Sequence, residues 1–139
     1  VPDITTQVES RILKSDLFFW EHMLQNRIGC ATEWIETDDV TDCTESDLAI
    51  FTELLQQIQN HHSRSRWSNH ITLSYTIFML HTIISALEIE CHDASYQGQT
   101  DYYQTAHYYL NEFLNRSIPY QDTLQKLDEV LLGRPIEKS

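Results

Sequence analysis

The residues best placed to do chemistry are Arg64 and His70, in the run Arg64-Ser65-Arg66-Trp67-Ser68-Asn69-His70. An arginine holds a phosphate through a planar fork of donors, and a histidine titrates near neutrality and can pass a proton. Together they would bring a phosphate-holding cation and a proton-passing group into one short segment. A second chemical feature is Asp38-Asp39-Val40-Thr41-Asp42. Clustered carboxylates supply the several oxygens that a hard cation wants. An exposed acidic loop is the plainer account of that run, and a helix-start loop is the plainer account of the basic island.

Each feature carries a resemblance. The Arg64…His70 spacing resembles the HEPN family of small helical domains, some of which are metal-independent ribonucleases and others non-catalytic binding modules. That resemblance implies that Arg64 would stabilise a scissile phosphate and His70 would act as general acid or base. The DDxxD form of residues 38–42 is similar to the magnesium–diphosphate run of isoprenoid synthases, although no second metal motif accompanies it. Tyr103 to Ala106, with Leu110, Phe113, Leu114 and Pro119, resembles the second helix of a tetratricopeptide repeat and implies helix-hairpin packing.

Other chemistries find less support. The histidines form no HExxH, and no two of them fall three or four residues apart. Cys91 and His92 are adjacent, and adjacent residues diverge on a helix. Gly29, Gly98 and Gly133 are too far apart for a phosphate loop. Neither a metal nor a cofactor is implied.

The elements that must position these residues are helical. A chain of 139 residues with 3 Gly and 3 Pro has few turns to spend, which favours an all-α single domain. The expected architecture is about five helices around one very apolar helix, ordered over residues 6–133. A capping box at Thr6 and Glu9 opens the first helix, and Gly29 closes it. An acidic loop follows over 36–45. The second helix starts near Thr44 or Ser46 and buries Leu48, Phe51, Leu54, Leu55 and Ile58. Ser68 caps the central helix, which carries Ile71, Leu73, Ile77, Phe78, Leu80, Ile83, Ile84, Leu87 and Ile89. A loop over 92–100 precedes a fourth helix, and Pro119 opens a fifth.

Charge narrows the partner. The formal net charge is −12, and neither Ile28–Ser63 nor Trp67–Asn115 contains a Lys or Arg. Such a chain repels phosphate backbones, so a nucleic-acid partner is disfavoured and another protein, of basic character, is favoured. Asp38, Asp39, Asp42, Glu45 and Asp47 are the acidic candidates for that contact. Tyr102 and Tyr108 are the aromatic ones, because the pairs Tyr102-Tyr103 and Tyr108-Tyr109 cannot all face one core. The odd set Cys30, Cys43 and Cys91, with no leader or membrane span in view, fits reduced thiols in a cytoplasmic or nuclear protein. The expected function is a helical protein-interaction module of adaptor, host-factor-binding or inhibitor type. The HEPN-like ribonuclease and a self-associating structural subunit are the alternatives.

Overall fold

A computed structural model of the chain describes residues 5–36, 44–61 and 69–132. In chain order they form strand β1 (Gln7–Leu13), helices α1 (Leu17–Glu36) and α2 (Thr44–His61), strand β2 (His70–Thr76), and helices α3 (Ile77–Tyr96), α4 (Thr100–Ser117) and α5 (Gln121–Leu132). Single 3-10 turns at Lys14–Asp16 and Ile118–Tyr120 lead into α1 and α5. Helix dominates, as the scarcity of Gly and Pro implies, and a two-stranded sheet is added to it.

The sheet corrects two expectations. Residues Gln7–Leu13 are a strand, not the first turns of a helix capped at Thr6. Residues His70–Thr76 are a strand, and the apolar helix begins only at Ile77. The strands are antiparallel, with Val8 opposite Tyr75, Ser10 opposite Leu73 and Ile12 opposite Ile71. Those six residues are all buried, and the alternate positions face outward. The physical reason for the misreading is visible in the spacing. Val8 and Ile12 are four apart, which satisfies both a helical turn and a two-residue alternation. Ile71, Leu73 and Tyr75 alternate strictly, but they run into the apolar start of α3 and read as its continuation.

Both outer edges of this small sheet are occupied. Gln57 of α2 donates from Nε2 to the Ser74 carbonyl at 2.8 Å and accepts the Ser74 N–H at 2.9 Å. A glutamine amide thus takes the place of a third strand. On the other edge, Arg116 donates to the Glu9 carbonyl at 3.1 Å, and the Leu13 N–H donates to the Tyr109 hydroxyl at 3.2 Å. An edge with these groups consumed offers little to an added strand.

Helix limits also differ from the expected ones. Thr76 caps α3, accepting the Met79 N–H at 3.3 Å. Gly29 does not stop α1, which continues to Glu36. Its α-carbon faces open space, so the helix tolerates it at a cost of about 1 kcal/mol relative to Ala. The segment expected as a loop over 92–100 is helical to Tyr96. Gly98 then takes a φ of 71°, the Gly98 N–H bonds the Ser95 carbonyl, and the Gln99 N–H bonds the Ala94 carbonyl. These two bonds close a Schellman turn, which needs a residue free to adopt left-handed backbone.

The chain builds two helical hairpins, α1 against α2 and α3 against α4, which share one core with the sheet. Trp20, Met23 and Leu24 from α1 meet Leu54 and Ile58 from α2, Leu80, Ile83 and Leu87 from α3, and Phe113 from α4. On α2, Leu48 and Leu55 are only half-buried, while Ile50 joins Phe51, Leu54 and Ile58 inside. No helix among the described residues is long and apolar enough to cross a membrane.

Candidate functional site

The start of α1 and the length of α4 meet in a connected set of rings. Tyr102, Ala106, Tyr109 and Phe113 recur at helical spacing, so α4 turns one face to the interior. The Phe19 ring lies 4.9 Å from Tyr102 and 6.1 Å from Tyr109. Trp20, with no exposed surface, meets Tyr109 edge-on at 5.2 Å and Phe113 at 5.6 Å. Phe113 in turn reaches Tyr75 of β2 at 5.6 Å. Offset and edge-on pairs of this kind add about 0.5–1.5 kcal/mol each beyond the area they bury.

The inner tyrosines place their hydroxyls on defined partners. Tyr109 donates to Asp16, just before α1, at 2.5 Å. Tyr102 donates to Glu90 of α3 at 2.8 Å. Tyr75 shares a 2.5 Å hydrogen bond with Ser10, its diagonal neighbour across the sheet. Burial pushes the Tyr102 phenol far up, and the Glu90 hydrogen bond and charge push the same way. For Tyr109, burial again leads, followed by the hydrogen bond to Asp16. All act as neutral hydrogen-bonding groups near pH 7.

Glu90 is 3% exposed and forms an ion pair with Arg27 of α1, Nε to Oε1, at 3.3 Å. The approach is close, but neither atom has hydrogen-bonding geometry with any described group. Arg27 also reaches Asp93 at 4.0 Å. The indole N–H of Trp20 is likewise buried without an acceptor. A buried pair like Arg27–Glu90 adds little net stability, and its loss on one side is costly. It ties α1, α3 and α4 into one arrangement.

The outer rim of this ring network differs. Phe18 is 78% exposed and stacks on exposed His22 at 6.1 Å, and His22 meets Tyr102 edge-on at 5.5 Å. Tyr108 is 53% exposed and packs edge-on against Tyr109 at 5.0 Å. Asp101, Tyr108 and Glu112 fall on the solvent side of α4, with half-buried Thr105 beside them. Neither the Asp101 nor the Glu112 carboxylate is engaged by another side chain among the described residues.

The residues singled out in the sequence scatter over the molecule. Tyr108 lies on this rim. Tyr102 does not, because its hydroxyl is committed to Glu90. Asp47 is half-buried and accepts the Thr82 hydroxyl at 3.2 Å, so it joins α2 to α3. Burial raises its pKa, against smaller lowering effects of the Thr82 bond and the His81 charge. Asp38, Asp39, Asp42 and Arg64 lie outside the described residues, and so does the side chain of Glu45. His70 is exposed at the first position of β2 rather than in a helix start. No group of three or more His, Cys, Asp or Glu among the described residues is placed to hold a metal.

Phe18 and His22 were missed. Phe18 reads as part of a widened apolar stripe beside Phe19 and Trp20. Three consecutive aromatics on a helix cannot all face one core, and that was the available signal. A shallow cup of about 350 Å³ lies between α3 and α4, lined by Cys91, His92, Ser95, Tyr96 and Tyr103. Burial pushes the Cys91 thiol up, away from the reactive thiolate.

Comparison of the chain with models of known protein families, with curated proteins and with solved structures finds no match.

Proposed function

We propose that the protein is a protein-interaction module that recognises its partner through the α1–α4 rim bearing Phe18, His22 and Tyr108. The observation that carries this reading is the exposure of Phe18 and Tyr108, the first stacked on His22 and the second packed edge-on against buried Tyr109. An aromatic side chain held by its neighbours loses little freedom on binding and brings a large contact area. Asp101 and Glu112 give the same face its acidic character. Of the residues that the sequence offers for this contact, Tyr108 lies on the rim, and Asp38, Asp39 and Asp42 lie outside the described residues.

The test compares tagged wild type with the exposed double variant Phe18→Ala/Tyr108→Ala in quantitative capture from extracts of the source cells. The expected result is one stoichiometric partner that the double variant loses while its thermal unfolding is unchanged. Equal capture by both proteins would overturn the assignment of the rim.

A further inference from the structure

The α1–α4 rim combines two features that a single partner chemistry answers. Its rings are exposed, at Phe18 and Tyr108. Its carboxylates are grouped: Asp101 and Glu112 share a solvent face with Tyr108, and Asp16 lies at the base of the seam under Tyr109. The neighbouring cations have partners of their own. Arg27 is held inside by Glu90, Arg116, one turn beyond Glu112, is turned onto the Glu9 carbonyl of β1, and half-buried Lys14 is engaged elsewhere. No Lys or Arg occurs anywhere between Trp67 and Asn115, the stretch that contains the whole solvent face around Tyr108.

We infer that the seam docks a lysine- and arginine-rich protein segment, with guanidinium or ammonium groups over the Phe18 and Tyr108 rings and paired to Asp101 and Glu112. This rests on the interaction-module reading and names the chemistry of its partner. A cation over an exposed ring gains about 0.5–1 kcal/mol, and each exposed carboxylate pair contributes up to a similar amount. Several such contacts on one face add to a selective preference for a basic segment. Gln57 and Arg116 already take edge groups of the sheet, at Ser74 and Glu9. Anionic lipid and nucleic acid carry the wrong charge for this face.

The test uses the full chain and a fluorescently labelled synthetic peptide alternating arginine and alanine, followed by anisotropy at low ionic strength. Phe18→Ala/Tyr108→Ala should weaken binding roughly tenfold, and Asp101→Asn/Glu112→Gln roughly fivefold. The control Glu53→Gln/Glu88→Gln removes the same formal charge from exposed positions on α2 and α3, and it should change affinity less than about twofold. An equal loss in both charge-neutralised pairs would reduce the effect to bulk attraction by an acidic protein and overturn the inference. So would an unbound peptide. If the peptide fails while a cellular partner is still lost from Phe18→Ala/Tyr108→Ala, the interaction function stands and the basic chemistry falls. A concentration-dependent dimer abolished by the same double variant would put a second copy on the seam and likewise overturn it.

Discussion

Two layers of one aromatic network behave differently. In the inner layer, Tyr75, Tyr102 and Tyr109 are anchored, their hydroxyls spent on Ser10, Glu90 and Asp16. In the outer layer, Tyr108 packs against Tyr109 and Phe18 against His22, and both are otherwise open to water. Residue type alone does not separate the layers, because Tyr108 and Tyr109 are neighbours in sequence. The inner hydroxyls meet partners from β1, from the turn before α1, and from α3, so they close the fold. The outer rings make no hydrogen bond to another element among the described residues.

That contrast can be broken or sharpened by substitution. The largest effect belongs to the inner ion pair. Arg27→Met strands the Glu90 carboxylate in the interior and should cost about 3–5 kcal/mol in denaturant unfolding. Adding Glu90→Gln, which keeps an acceptor for Tyr102, should recover most of the loss. Next is Tyr109→Phe, which keeps the ring but leaves Asp16 and the Leu13 N–H without their shared hydroxyl. A loss of about 1–3 kcal/mol is expected, and a change near zero would remove the inner layer's claim to a structural role.

Smaller again is Asp47→Asn. Because the folded pKa of Asp47 is raised, the folded state holds that proton more tightly than the unfolded chain does. Wild-type stability therefore falls as pH rises through the unfolded value, about 3.9, towards the higher folded one, and the deficit persists above it. The variant carries no such deficit. It should be more stable than wild type near pH 7 by less than about 1 kcal/mol, since the group is half-exposed, and the gain should vanish below about pH 3.5. A variant less stable than wild type at neutral pH would show that the Thr82 contact requires the charge. The smallest effect is expected at the rim, where Phe18→Ala/Tyr108→Ala should shift stability by no more than about 0.5 kcal/mol.

The helices that a single period describes were legible in the sequence. The face of α2 at Phe51, Leu54 and Ile58 and the face of α4 at Ala106 and Phe113 follow from spacing alone. The strands were not. Each is seven residues long, and each pairs with a segment far along the chain, so no local turn announces the pairing. Strict alternation in Ile71, Leu73 and Tyr75 was the one available sign, and the apolar start of α3 masked it. The candidate surface was half legible. Crowded tyrosines on α4 imply that some must leave the core, and Tyr108 does so, while Tyr102 stays half-buried with its hydroxyl on Glu90. The partner that claims Tyr102 is Glu90, an acidic residue whose burial nothing in its local sequence discloses.

On the proposed function, the outer layer recognises a partner and the inner layer does not. Site-specific photo-crosslinking tests it most directly, with a benzophenone side chain at Tyr108 and, for comparison, at exposed Gln56 on α2. In extracts of the source cells, the position-108 probe should give one discrete adduct that a Phe18→Ala background suppresses, and the position-56 probe should give none. Adducts of equal yield and identity from both positions, or an adduct at position 108 that Phe18→Ala leaves intact, would contradict the account.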